Sequence, residues 1–139
     1  MNRRDFIALT STTIVTLAMP LAVRATGLPY TPDLLAARLA ADETVFLDFK
    51  ASWCSTCAAQ ERVLKALKAE SPAYEEKITF IDVDWDEYGR SQIVQDLKIP
   101  RRSTLVVLRG DRELGRIVAQ TGRAEIKALM DTALEAASA

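Results

Sequence analysis

The chain has 139 residues, a length that allows one domain of ordinary size and excludes two. Hydrophobic residues make up 49% of it, which is enough to bury a core and excludes a disordered chain. Acidic and basic residues nearly balance, at 19 against 18, so the charge footprint of a nucleic-acid-binding protein is missing. The chain has no histidine, which excludes Ser-His-Asp and Cys-His catalysis and removes the commonest metal ligand.

Residues 1–25 have the organisation of an export signal. Arg3 and Arg4 give a positively charged start, residues 8–23 are largely uncharged and apolar, and the small residues ending at Ala25 suit a cleavage site. The paired arginines followed by Asp-Phe-Ile resemble the twin-arginine export signal of bacteria. A general secretory signal and an uncleaved anchor are the alternatives. We therefore expect cleavage near Ala25, a periplasmic location and a working domain over residues 26–139.

The first elements of this domain are a short helix, a buried strand and a long helix. Leucines recur at helical spacing within residues 32–41, which predicts the short helix. Residues 44–49 are dense in apolar, β-branched and aromatic side chains, and the run has the length of a buried strand. A helical pattern then extends over residues 58–70, and Ser71-Pro72 ends it.

The second half alternates in the same way and then ends in a hairpin and a helix. The predicted elements are a strand at 77–83, a helix at 86–97, a loop at 98–103, paired strands at 104–108 and 114–119, and a closing helix at 123–137. Strand–helix–strand units early in the chain and a hairpin late predict an α/β fold. Its sheet should be mixed, central and flanked by helices on both faces.

The only two cysteines, Cys54 and Cys57, stand between the first buried strand and the long helix. Two cysteines with this spacing can close a disulfide only where the backbone turns tightly, and the turn into a helix provides this. A helix start favours an anion, so we expect a lowered pKa for Cys54 and a role as the attacking nucleophile. Cys57, one turn further in, is expected to be less exposed and to resolve the mixed disulfide.

A structural disulfide and a metal site are the alternatives for these cysteines. A bridge that closes a loop of four residues gains little stability from loop closure. A zinc site within one chain needs two more cysteine or histidine ligands, which the sequence does not contain. A metal ion or iron–sulfur cluster held by Cys54 and Cys57 of two chains stays open as an alternative function. The main hypothesis involves no resident metal or cofactor.

The segment from Phe46 to Cys57 resembles the active-site segment of the thioredoxin family. Both contain a hydrophobic strand, an aspartate, an aromatic residue, an alanine and then Trp-Cys-x-x-Cys. The resemblance extends through Gly122 and the closing helix, so it covers essentially residues 30–137. It implies a thioredoxin-like three-layer sandwich and a protein-disulfide oxidoreductase. The implied partners are protein thiols and disulfides and a membrane-bound or soluble redox partner, without nucleic acid.

The resemblance also implies roles for the neighbours of the cysteines. Asp48 matches the family's buried carboxylate, which accepts the proton of the resolving thiol; the alternative is an aspartate at a strand end facing water. A carboxylate in an apolar strand has a raised pKa and can exchange protons near neutrality. In the family a lysine of the next strand accompanies this aspartate. Here we expect Phe80 in that position. Lys50 is then either a substitute for that lysine or a solvated charge, and we favour the solvated charge.

Trp53 matches a tryptophan that in the family shields the site and contacts partner proteins, with a core tryptophan as the alternative. The loop at 98–103 departs from the family, which has a cis-proline followed by threonine opposite the cysteines. Alignment on Thr104 places Ser103 in the cis-proline position, whereas alignment on Pro100 leaves three extra residues before the strand. We favour Ser103, either trans or in a strained cis bond, and expect it to open space beside the thiols and to change substrate docking.

Two further expectations concern partners and the direction of electron flow. Arg101 and Arg102 either provide positive charge near the thiolate for acidic partners or belong to a solvated loop. Strong oxidants stabilise their reduced form by extra interactions with the thiolate, and a histidine inside the motif is one means seen in the family. Ser55 and Thr56 provide no such group. We therefore expect a reductant or redox partner rather than an oxidase.

Overall fold

The computed structural model describes residues 27–139, so the predicted export signal lies outside the described residues. Within the described part, five strands and six helices follow one another. In chain order they are β1 (Leu28–Pro29), α1 (Pro32–Ala40), β2 (Thr44–Lys50), α2 (Ser55–Glu70), α3 (Ala73–Lys77), β3 (Thr79–Asp84), α4 (Trp85–Tyr88), α5 (Gln92–Asp96), β4 (Thr104–Arg109), β5 (Arg112–Val118) and α6 (Arg123–Ser138).

The five strands form one sheet in the order β1-β3-β2-β4-β5. Strands β1, β3 and β2 are parallel, while β4 runs antiparallel to β2 and β5 antiparallel to β4. The two parallel pairs come from crossover connections, and the antiparallel pair β4–β5 is a hairpin. The predicted α/β fold with a central mixed sheet is confirmed, and β2, the strand that leads to the cysteines, lies at its centre.

Successive side chains of β2 point to opposite faces of the sheet, so the core consists of two layers, one on each face. Phe46 packs with helices α2, α3 and α6 on one face of the sheet. Leu47 and Phe49 pack with helices α1, α4 and α5 on the other face. Every side chain of β2 before Lys50 is buried, which is the pattern of a strand covered on both faces. Asp48 has the same parity as Phe46 and therefore lies on the α2 side.

Helix α2 begins at the cysteine motif itself, three residues earlier than the apolar pattern predicted. Cys54 is its N-cap residue, with an extended backbone (φ −90°, ψ 111°), and its Sγ accepts a hydrogen bond from the Cys57 N–H at 3.1 Å. An N-cap acceptor satisfies one of the free N–H groups of the first turn. Residues 55 and 56 carry no periodic apolar signal, so only the cap geometry marks the start.

The predicted helix at 86–97 is wrong as a single element, because it is divided into α4 and α5. Gly89 ends α4, and Ser91 is extended (φ −82°, ψ 171°) and begins a new helix. The division keeps Ile93 on the core side of α5. Helix α3 and strand β1 were not predicted, since elements of five and two residues are too short to show a period. Among residues 27–139, no helix has both the length and the hydropathy needed to cross a bilayer.

Candidate active site

Cys54 and Cys57 lie where β2 ends and α2 begins, and they are joined by a disulfide. Their Cα atoms are 5.2 Å apart. Both are buried, Cys57 slightly more than Cys54, in a small cluster with Ala51 and the partly buried Trp85. The sixteen residues of α2 direct free N–H groups and the positive end of the helix dipole at Cys54. The arrangement can therefore stabilise a Cys54 thiolate when the disulfide is reduced.

Ser103, rather than Pro100, lies against the cysteines. Its Oγ is 3.2 Å from Sγ of Cys54 and 3.1 Å from Sγ of Cys57, and the side chain is fully buried. No peptide bond among the described residues is cis, so a strained cis bond at Ser103 is excluded. Instead the residue has a φ of 62°, a left-handed conformation that non-glycine residues seldom adopt. The turn that a cis-proline would make is thus made by a trans serine with positive φ.

Gln60 is a site residue that the sequence analysis missed. It lies on the buried face of α2, one turn beyond Cys57, and is fully buried. Its Nε2 donates hydrogen bonds to the carbonyl of Ser103 at 3.0 Å and to the carbonyl of Gln120 at 2.9 Å. The available signal was an amide at helical spacing between Cys57 and Leu64, in a position where an apolar side chain is expected. Gln60 ties the loop that carries Ser103 to the helix that carries the cysteines.

Asp48 lies near the end of β2 and is 5% exposed, so the alternative of an aspartate facing water is wrong. Its Oδ1 has no hydrogen-bond partner among the described residues. Burial, and after it the carboxylate of Asp82, raises the pKa of Asp48 from 3.8 to about 7, while Lys50 opposes the shift. A carboxyl group with this pKa can accept or release a proton at neutral pH.

The residue opposite Asp48 on β3 is Asp82, not Phe80 as expected; Phe80 is opposite Phe46. The register of two parallel strands depends on how the intervening α2 crosses over, and the sequence expectation was two residues out. Burial also raises the pKa of Asp82. Two carboxyl groups therefore lie on neighbouring strands, Asp48 on the strand that leads to the cysteines.

Lys50 is not a solvated charge, so that expectation was wrong. Its Nζ lies 3.2 Å from Oε1 of Glu61 on α2 and 3.6 Å from Oδ2 of Asp82 on β3. Burial disfavours its ammonium charge, but the carboxylates of Asp82 and Asp48 outweigh this and raise the pKa of Lys50. Lys68, which is 3% exposed, lies 3.5 Å from Glu75 and 3.8 Å from the ring centroid of Phe80. Two lysines thus accompany the carboxylates.

Trp53 lies on the surface at the mouth of the site and is 58% exposed, which excludes the core alternative. Its indole N–H donates to the carboxylate of Asp86, at 2.9 Å to Oδ1 and 3.1 Å to Oδ2. The guanidinium carbon of Arg102 lies 4.3 Å from the centroid of the indole ring, a cation–π contact. Arg101 donates from Nε to the Arg102 carbonyl at 3.1 Å. An aromatic face and a cation are therefore presented next to the disulfide.

Three features define a protein of the thioredoxin-like class. They are the central strand β2, the disulfide at the start of α2, and the loop before β4, in which Ser103 contacts both sulfurs. The family model described as Thioredoxin matches residues 29–132. The chain therefore belongs to the thioredoxin family.

Relatives and solved structures agree with this assignment. Thioredoxin H2-1 of Oryza sativa is 34% identical over 74 residues, which are 53% of this chain and 49% of that protein. The chain spans about half the length of the curated relatives it matches. Trxlp of Edwardsiella tarda has a TM-score of 0.63 at 28% identity, over 76% of this chain and 96% of that one. The thioredoxin Mala s 13 of Malassezia sympodialis has a TM-score of 0.66 at 24% identity, over 78% and 94% of the two chains.

The alternative of a metal or cluster site has no support from the donor set. Cys54 and Cys57 are bonded to each other. No group of three or more cysteine, aspartate or glutamate side chains within residues 27–139 is arranged to hold a metal ion. The polar groups that contact the sulfurs are the hydroxyl of Ser103 and the N–H of Cys57, which are donors and suit a thiolate better than a cation.

Proposed function

We propose that this protein is an exported thiol–disulfide oxidoreductase that reduces disulfides in other proteins. The observation that carries the proposal is the redox-capable pair Cys54–Cys57 at the N-terminus of α2, preceded by the buried carboxyl group of Asp48 on the strand that leads to it. Membership of the thioredoxin family supports the same chemistry.

The reaction balances as two successive thiol–disulfide exchanges. In the reduced protein, the thiolate of Cys54 attacks one sulfur of a target disulfide; the target S–S bond breaks and the second target sulfur leaves as a thiolate, which takes a proton. Cys57 then gives up its proton to a base and attacks the sulfur of Cys54; the mixed disulfide breaks, and the target sulfur that was bonded to Cys54 leaves as a thiolate and takes a proton. Two electrons pass from the cysteine pair to the target. A dithiol donor protein must then reduce the Cys54–Cys57 disulfide again.

Asp48 supplies the proton acceptor for the second exchange. The thiol of Cys57 is buried and reacts only as a thiolate, so its proton must move to a nearby group. Asp48 has a pKa of about 7 and is ionised in a useful fraction of molecules at neutral pH. Lys50, held between Glu61 and Asp82, favours the ionised form.

The direction of electron flow can be measured as a reduction potential. We expect a value nearer the roughly −270 mV of thioredoxin than the roughly −120 mV of the strongest periplasmic oxidant, because residues 55 and 56 add no cation beside the thiolate. Titration of residues 26–139 in glutathione or dithiothreitol buffers, followed by Trp53 fluorescence, measures it. A potential near −120 mV would make the protein a disulfide donor. Absence of any reversible disulfide would refute the redox function itself.

The periplasmic location is proposed from the sequence of residues 1–25 alone. A twin-arginine signal depends on both arginines, whereas a general secretory signal needs only positive charge. We therefore expect the double substitution Arg3→Lys and Arg4→Lys to stop export of the full chain in a Gram-negative host, measured by cell fractionation. Unchanged export of the variant would indicate the general secretory route, and a wild-type chain found only in the cytoplasm would contradict the location.

The exposed face of Trp53 with Arg102 is proposed as part of the docking surface for target proteins. We expect Arg102→Glu to lower kcat/KM by roughly tenfold for a disulfide peptide with acidic residues beside its cysteines, and to leave a peptide with basic residues unchanged or faster. The control is Arg112→Glu, the same charge reversal at the opposite end of the sheet. Equal losses for both peptides with Arg102→Glu would show that charge at this position does not select targets.

A further inference from the structure

The contact between a buried hydroxyl and both sulfurs has no part in the exchange steps described above. We propose that the Ser103 hydroxyl donates a hydrogen bond to the Cys54 thiolate of the reduced protein, and that Gln60 is the positioning residue that holds Ser103 for this task. The inference rests on the proposed redox function and names two residues that set the stability of its reduced form.

The geometry places the hydroxyl where it can serve either sulfur. Its Oγ is nearly equidistant from the two sulfurs, at 3.2 Å from Sγ of Cys54 and 3.1 Å from Sγ of Cys57. Ser103 is fully buried, so water does not compete for the contact. The same hydroxyl can therefore turn to Cys57 when that residue becomes the thiolate in the second exchange. In the chain, Ser103 is 49 positions from Cys54 and 46 positions from Cys57.

The contact favours the reduced state because its strength depends on charge. Sulfurs of a disulfide are neutral and weak acceptors, so the hydroxyl gains little from them. Reduction adds two electrons and one proton, opens the S–S bond and leaves a thiolate on Cys54 and a thiol on Cys57. A hydrogen bond to an ionised acceptor is roughly twice as strong as one between neutral groups. The hydroxyl thus lowers the pKa of the Cys54 thiol and raises the reduction potential of the pair.

The backbone at Ser103 is held in place by three hydrogen bonds. Its N–H donates to the Phe49 carbonyl at 2.7 Å, and its carbonyl accepts from the Ala119 N–H at 2.8 Å. The third bond comes from the amide of Gln60, which also holds the carbonyl of Gln120. A serine with φ of 62° is disfavoured by its Cβ, so these bonds maintain the conformation that directs the hydroxyl at the sulfurs.

The Ser103 variants are designed to retain every other charged group of the elements around the site. These groups are Asp48 on β2 with its partners Lys50 and Asp82, Glu61 on α2, Arg102 in the loop before β4, and Asp86 on α4. The helix dipole of α2 is also unchanged. A change in the Cys54 pKa in a Ser103 variant is therefore attributable to Ser103.

Two substitutions distinguish the effect of the hydroxyl from the effect of the strained backbone at Ser103. Ser103→Ala removes the hydroxyl and keeps a Cβ at positive φ, whereas Ser103→Gly removes the hydroxyl and relieves the Cβ. We expect both to lower the equilibrium constant for reduction by glutathione by about tenfold, which is about 30 mV for a two-electron couple. Both should also raise the pKa of Cys54, followed by the ultraviolet absorbance of the thiolate. Wild-type values in both variants would overturn the proposal, as would a change in only one of them.

Gln60→Met tests the positioning role, because methionine fills a similar volume and donates no hydrogen bond. We expect a shift in the same direction as Ser103→Ala, and no further shift when Gln60→Met is added to Ser103→Ala. Additive shifts would mean that Gln60 acts independently of the hydroxyl. Thermal unfolding of each oxidised variant shows that it is folded before it is titrated. If the wild-type disulfide is reduced reversibly and the variants have the same reduction equilibrium, this inference alone is refuted. If the wild type forms no reversible disulfide, the proposed function is refuted.

Discussion

Cys57→Ser is expected to stop turnover and to leave Cys54 trapped in a mixed disulfide with its target. The variant keeps the attacking thiolate at the start of α2, so the first exchange proceeds. It lacks the thiol that resolves the mixed disulfide, and a serine hydroxyl, which is far less acidic than a thiol, does not replace it. Intact-protein mass measurement after incubation with a disulfide peptide should show the added mass of one target thiol.

Cys54→Ser is the matched variant, and we expect neither turnover nor trapping from it. The remaining thiol of Cys57 is 2% exposed and lies inside the first turn of the helix. Ser55→Ala changes a residue between the cysteines without removing a sulfur and should retain turnover. Trapping by Cys54→Ser and not by Cys57→Ser would reverse the roles assigned to the two cysteines.

Asp48→Asn is expected to stabilise the oxidised protein at neutral and alkaline pH. The pKa of Asp48 is about 7 when folded and 3.8 in its ordinary state, so between these values the folded protein holds a proton that the unfolded chain has released. The contribution of Asp48 to the free energy of unfolding is therefore fully present below about pH 4 and is lost as pH rises through 7. The gain from Asp48→Asn above pH 7 is roughly 4 kcal/mol at 1.36 kcal/mol per pKa unit.

Denaturant unfolding of the oxidised protein at several pH values measures this difference, since the cysteines do not titrate while they form the disulfide. Asp111→Asn, in the exposed turn between β4 and β5, removes the same charge without the burial and serves as the control. A difference between Asp48→Asn and wild type that stays constant from pH 4 to 8 would contradict a raised pKa for Asp48.

The same substitution should slow the second exchange while leaving the first intact. Asparagine cannot accept the proton of Cys57, and a general base typically contributes roughly a hundredfold or more to a rate. Rapid-mixing measurements that follow formation and decay of the mixed disulfide separate the two steps. An Asp48→Asn variant that is more stable than wild type and also slow in the second exchange would link the two effects. The buried carboxylate that destabilises the fold at neutral pH would then be the group that accepts the proton of Cys57.

Much of the candidate site could be predicted from local sequence. The dense apolar run of β2 predicted a buried strand, and the resemblance of its sequence to the thioredoxin family implied that Asp48 is the buried carboxylate. The tight spacing of Cys54 and Cys57 before a helical pattern predicted a disulfide at a helix start. These properties depend on residues within one turn or one strand, where the chain has few alternative arrangements.

Contacts between distant segments were decided only by the tertiary structure. Whether Ser103 or Pro100 contacts the sulfurs depends on how β4 aligns with β2. The hydrogen bond that the Ser103 N–H donates to the Phe49 carbonyl fixes that register. The shift of β3 that puts Asp82 in place of Phe80 arises in the same way. A slip of two residues leaves every side chain of a strand on the same face of the sheet, so the alternating pattern of side chains does not exclude such a shift.

Sequence alone therefore determined the longer elements, the class of fold and the redox pair, because apolar periodicity and the spacing of the cysteines are read within short segments. The tertiary structure decided what surrounds the pair: the hydroxyl of Ser103, the amide of Gln60 and the paired charge of Lys50. Each of these polar groups is 11 to 60 positions from the partners it contacts and meets them only after the sheet and helices have packed. A buried polar group needs a partner wherever the fold provides one, and the position of that partner is a property of the packing.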